Sequence, residues 1–185
     1  MGATIGLMAA TLLGCASPGS PQEATAKRME IDAKVDTTLS RLYTQAKGSK
    51  ELADKARGIL VFPDVKAAGF IVGGEYGEGA LRVGGKTAEY YKTTAGSFGF
   101  TAGAQSKGIV MMFMTQAALD KFRASQGWTA GVDAAVAVMK VGAEAQIDTA
   151  TATAPVIAFA LTNAGLMANL SLEGTKISKL DLTPK

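Results

Sequence analysis

From Glu23 to Ala46 the apolar side chains Ile31, Val35, Leu39, Leu42 and Ala46 recur at steps of four and three. Lys27, Asp32, Lys34, Asp36 and Arg41 fill the rest of the wheel. The spacing predicts an amphipathic helix, with Gly48 closing it. Ser49 is placed to cap a second short helix from Lys50 to Arg57, and Gly58 to end it in a left-handed turn. Beyond Gly58 the period shortens. Runs rich in Val, Ile, Phe and Thr, broken by glycine, predict strands at Ile59–Phe62, Ala67–Val72, Ala80–Val83, Phe98–Ala104, Gly108–Met114, Gly131–Gly142, Val156–Leu161, Leu166–Leu172 and Thr175–Leu180. Thr115 is placed to cap a helix over Gln116–Ala124, in which Leu119 and Phe122 share a face.

The 22 glycines exceed average usage, and glycine weakens a strand interior unless a turn or a close approach needs it. Gly73-Gly74, Gly77-Glu78-Gly79 and Gly84-Gly85 read as turns. In Phe98–Ala104 the side chains of Phe98, Phe100, Ala102 and Ala104 fall on one face, with Gly99, Thr101 and Gly103 on the other. Strongly bent sheets need such positions. The fold class expected is α+β: a compact, Gly-rich antiparallel β barrel or sandwich, two N-terminal helices packed on it, and one short helix inserted between strands. An outer-membrane barrel fits less well, because spanning strands need about 9–11 residues and aromatic girdles. Most runs here are shorter, and aromatics are 6% of the chain.

Residues Ile5 to Gly14 form an apolar and small-residue stretch of signal-peptide length, too short to span a bilayer as a helix. It ends in Leu12-Leu13-Gly14-Cys15, which resembles the lipobox of bacterial lipoproteins, where the cysteine thiol takes diacylglycerol and cleavage follows. Ala16-Ser17-Pro18-Gly19-Ser20-Pro21 then has the composition of a flexible tether. The first basic residue is Lys27, which departs from the charged opening of a signal peptide. The expected division is a leader over 1–14, an acylated Cys15 and tether over 15–22, and a domain over 23–185, with helices over 23–57 and mainly strands over 58–185. With Ala16 after the cysteine, the lipoprotein resemblance implies the cell envelope, at the periplasmic face of the outer membrane.

Charge and chemistry narrow the function classes. The net charge is +3, neither half of the chain is strongly basic, and no Lys/Arg run or cationic helix face supports nucleic-acid binding. There is no histidine, which removes the commonest general acid/base and metal ligand. No Ser-His, Cys-His, phosphate-loop or metal-ligand spacing is present. Glu75 with Glu78, or Asp133 with Glu144, could pair for acid/base work, but they sit beside turn glycines or in polar alternation, as surface carboxylates do. Catalytic residues, metal sites and cofactors are therefore not expected, and the chain does not read as an enzyme.

Several segments together resemble the SYLF domain of bacterial secreted proteins and eukaryotic lipid-binding endocytic proteins. They are Ala56-Arg57-Gly58-Ile59-Leu60-Val61-Phe62-Pro63, the stretch from Ala68 to Gly79, Gly96-Ser97-Phe98-Gly99 with Gly103-Ala104-Gln105, Trp128 with Gly131-Val132-Asp133-Ala134, and Ala164 to Gly174. The resemblance implies binding of membrane phospholipid, with the N-terminal helix at the lipid. Phosphoinositides and actin, ligands of eukaryotic relatives, are not expected in a bacterial envelope. Lys27, Arg28, Lys34 and Arg41 are the headgroup candidates of the first helix; they are balanced by Glu30, Asp32 and Asp36 and read equally as a solvated face. Trp128 is open between an interfacial anchor and a core residue. Periodicity sets Met112 and Met114 on one face and Met111 on the other. Two function classes stand: an envelope lipoprotein whose domain binds phospholipid or a similar amphiphile, and a structural or interaction module with an unknown protein partner.

Overall fold

The computed structural model describes residues 19–69, 72–98, 105–139, 154–162, 165–167 and 171–184. The leader, Cys15, Glu144 and most of the strand expected at Phe98–Ala104 lie outside the described residues. Among the described residues three helices are present: α1 (Pro21–Gln45), α2 (Ser49–Lys55) and α3 (Gln116–Ala124). Ser20 caps α1, its hydroxyl accepting from the Glu23 amide, and Pro21 opens the first turn, where no backbone donor is needed. Gly48, with φ of 85°, is the N-cap of α2. Ser49 is buried and donates its hydroxyl to Ala46 O at 2.7 Å, tying the two helices together instead of capping the second. Thr115 caps α3 as its position predicts, accepting from the Ala118 amide.

The strands are β1 (Gly58–Gly69), β2 (Val72–Val83), β3 (Lys86–Phe98), β4 (Gln105–Phe113), β5 (Trp128–Thr129), β6 (Val136–Val138), β7 (Val156–Thr162), β8 (Gly165–Leu166) and β9 (Lys176–Lys179). They form one curled half-barrel sheet in the order β5-β9-β3-β2-β1-β4-β7-β6, with β8 beside β7. The α+β class, the leading helices and the inserted short helix are as expected. The sheet is mixed, because β6 pairs parallel with β7.

Several sequence expectations are corrected. Gly73-Gly74 and Gly77-Glu78-Gly79 are interior to β2, and the segment from Lys86 to Ser97, which carries no hydrophobic run, is most of the long strand β3. Only Gly84-Gly85 makes a turn, both residues at positive φ, joining β2 to β3. Gly79 serves a close approach: a Cβ there would lie 2.0 Å from the Val61 carbonyl oxygen. It faces the point where β1 shifts register between Val61 and Asp64. Gly58 is not a left-handed stop but the first residue of β1, with Leu119 of α3 against it. Among the described residues the strand read at Gly131–Gly142 is present over Val136–Val138, after a tight turn, and that read at Leu166–Leu172 is present over Gly165–Leu166.

Alternation divides the core between the two faces of the sheet. On the inner face Leu60, Phe62, Leu81, Ile109, Met111 and Ala158 pack with Leu119 and Phe122 of α3 and with Trp128. Phe122 lies 4.8 Å from Phe113 and from Tyr91, and 5.6 Å from Trp128, in tilted and edge-on ring contacts. On the outer face Val61, Ala80, Val110, Met112, Ile157 and Phe159 are covered by Ile31, Val35 and Leu42 of α1. Met114 packs with Met112 on the outer face while Met111 lies opposite, as the period of two requires. Among the described residues no helix is long and apolar enough to cross a membrane.

Candidate functional site

α1 lies across the strands of the outer face, and its apolar stripe is fully engaged there. What it leaves exposed is therefore its two flanks and its back. The structure separates the four cations named from sequence into two pairs. Lys27 and Lys34 share one flank: Lys27 Nζ lies 2.6 Å from a Glu78 carboxylate oxygen on β2, and Lys34 Nζ lies 2.6 Å from Glu30. The Lys34 ammonium, hydrogen-bonded to Glu30, holds that carboxyl below its usual range. Arg28 and Arg41 instead staple the helix to the chain, donating to Leu182 O at 3.1 Å and Thr162 O at 2.9 Å.

The opposite flank is closed by a polar network. The Asp32 carboxylate accepts from the Thr87 hydroxyl at 2.7 Å and the Tyr90 hydroxyl at 2.9 Å, and Arg82 pairs with Asp36 at 2.7 Å. Burial first, and then donation to Asp32, push Tyr90 up to about 12. Arg82 Nε has no hydrogen-bond partner among the described residues. These groups hold α1 at a fixed angle on the sheet.

At the N-terminal end of α1, on the side away from the sheet, an open groove of about 410 Å³ is lined by Pro21, Gln22, Thr25, Ala26 and Met29. Met29 is 67% exposed, unusual for a large apolar side chain. Sequence reading passed over it, although an apolar residue on the polar arc of an amphipathic helix was a visible signal. On the inner face the gap between Phe62, Ile109, Met111 and Ile177 does not admit a water molecule. Trp128 is 1% exposed, which makes it a core residue.

Of the carboxylates considered for acid/base work, the three among the described residues have structural partners. Glu75 pairs with Lys107 at 2.8 Å, Glu78 holds Lys27 and accepts from the Tyr76 hydroxyl, and Asp133 accepts from the Thr129 amide at 2.6 Å. Among the described residues no three potential metal ligands gather.

Residues 94–181, which run from the end of β3 through β9, match the Ysc84 family model, described as Las17-binding protein actin regulator. This is the family of the SYLF resemblance. Residues 94–181 are similar to a SYLF-family domain. Over 159 residues the chain is 29% identical to Beta cell expansion factor A of Aeromonas veronii, across 85% of this chain and 59% of that protein. The chain thus spans less than two thirds of that relative's length. The family match begins at the end of β3, so α1 and its groove lie outside it, whereas the alignment with the Aeromonas protein takes in most of the chain. α3, Trp128 and β9, all within the matched segment, contribute to the inner core.

Proposed function

We propose that this chain is a non-catalytic envelope lipoprotein, anchored through an acylated Cys15, whose SYLF domain binds phospholipid through the N-terminal end of α1. The observation that carries this reading is the open groove ending in exposed Met29. Pro21, which lines it, is six residues after Cys15, so an extended tether spans at most about 20 Å. An anchor at Cys15 would keep the groove close to the bilayer. Arg28 and Arg41 hold the helix that carries it to the rest of the chain.

Vesicle co-sedimentation of the full chain carrying Cys15→Ser, which takes no acyl anchor, tests the reading. The expected result is binding to phospholipid vesicles that weakens when Met29 is replaced by serine. Failure to bind vesicles of any composition would sink the proposal. It would favour the second reading, an envelope interaction module. That reading has its own observation: on β3 the pairing with β9 covers Tyr91 to Thr94, and residues 95–98 have no strand beside them on that side among the described residues. Such an edge accepts an added strand.

A further inference from the structure

At position 29 the chain carries methionine where leucine would give the helix equal support and a similar apolar surface. What methionine adds is a thioether sulfur. The groove leaves that side chain open: it is 67% exposed, on the side of α1 away from the sheet. Of its neighbours one helical turn away, Thr25, Ala26 and Ala33 are short and exposed. The Thr25 hydroxyl turns back to its own helix, donating to Pro21 O at 2.9 Å. Asp32, the fourth neighbour, faces the sheet and accepts from Thr87 and Tyr90.

The other described methionines are better shielded. Met111, Met112 and Met139 are at most 1% exposed within the two cores, and Met114 and Met167 are half-buried. A dissolved oxidant therefore meets the sulfur of Met29 ahead of theirs, because a core sulfur is reached only when the sheet opens.

We infer that Met29 is an oxidation site, at which peroxide converts the thioether to the sulfoxide and so loosens the groove's hold on lipid. The inference rests on the lipid-binding reading and adds its regulation. The sulfur attacks one oxygen of hydrogen peroxide; the S–O bond forms as the O–O bond breaks, and the second oxygen leaves as hydroxide, which takes up the remaining proton as water. Sulfur is thereby oxidised by two electrons and the peroxide reduced by two. The sulfoxide carries a polar S–O group that must shed its water before it can lie against acyl chains, whereas the thioether has none to shed. The change is reversible: a thiol-dependent methionine sulfoxide reductase returns the oxygen as water while two thiols join as a disulfide.

The test uses the full chain carrying Cys15→Ser, which removes the single thiol as a rival target, with and without Met29→Leu. Each protein is treated briefly with hydrogen peroxide, and sulfoxide is located by peptide mass spectrometry. Met29 should convert well ahead of Met111, Met112 and Met139, with no shift of the thermal unfolding midpoint, since the side chain is exposed. Equal conversion of these four in folded protein overturns the site. Binding to phosphatidylcholine vesicles is then measured by co-sedimentation. Peroxide should weaken binding of the Met29 protein about tenfold, the reductase should restore it, and Met29→Leu should bind equally before and after treatment. Binding that peroxide leaves unchanged, or that falls as far in Met29→Leu, overturns the switch and leaves the groove reading standing. Absence of vesicle binding by the untreated Met29 protein overturns both.

Discussion

Replacing Gly79 by alanine adds one methyl group and should be among the most damaging single changes available in this sheet. An ideal Cβ at that position lies 2.0 Å from Val61 O and 2.8 Å from Phe62 Cδ1. An ordinary carbon–oxygen contact is about 3.3 Å, so the two backbones must part by more than about 1 Å. Val61 cannot retreat, because it pairs with Ala80 on one side and with Val110 on the other. The substitution must therefore break the β1–β2 ladder at the register shift or push β1 into β4. Overpacking ordinarily costs about 1–3 kcal/mol, and a collision with fixed backbone belongs above that range, at about 4 kcal/mol. In urea, with a slope of about 2 kcal/mol per molar, the unfolding midpoint should fall by about 2 M. Gly96→Ala is the matched control, since a Cβ there meets nothing within 4 Å and should change stability by less than about 0.5 kcal/mol. Equilibrium urea unfolding followed by circular dichroism measures both. If Gly79→Ala lies within about 1 kcal/mol of Gly96→Ala, the argument from close approach is wrong.

Trp128→Ala should cost about 3–5 kcal/mol in the same assay, because the indole is buried among Phe113, Phe122 and the inner face of the sheet. Trp128 is the single tryptophan, so its emission should red-shift on unfolding and stay unchanged when vesicles are added to folded protein. Met29→Ser should weaken partition onto neutral vesicles about tenfold while leaving the urea midpoint in place, in line with an exposed side chain of about 1.5 kcal/mol transfer value. Tyrosine ionises near pH 10 in an unfolded chain, whereas Tyr90 is held up to about 12. Between those values the unfolded state binds fewer protons than the folded one, so stability falls as pH rises across that window. Tyr90→Phe should flatten that slope in unfolding curves collected from pH 9 to pH 12; an unchanged slope would remove Tyr90 from the cause.

The local elements were legible where a periodic pattern met its own chemistry. The stripe Ile31, Val35, Leu42 determined α1, and Thr115 with Leu119 and Phe122 determined α3, because helix period and capping are properties of neighbours in sequence. Val156–Leu161 was readable as a strand, which the structure shows to be buried, and alternation placed Met111 and Met112 on opposite faces. Segments quoted for the SYLF resemblance also fall within residues 94–181, the stretch that matches the family.

Tertiary structure decided the rest. Nothing local distinguishes Gly79 from Gly84: one is a turn residue at positive φ, while the other exists because β1 bulges against it from a strand about twenty residues away. Strand β3 was invisible because its outward residues are Lys, Thr and Tyr and its inward ones find partners only across β2 and β9. The cations divided in the same way. Sequence could list Lys27, Arg28, Lys34 and Arg41, but only the angle of α1 on the sheet turns two of them into staples and leaves the other two paired with Glu78 and Glu30. Periodicity reports which face of an element a residue occupies; which face of another element it meets depends on register and crossing angle, and those are set by packing between segments far apart in the chain.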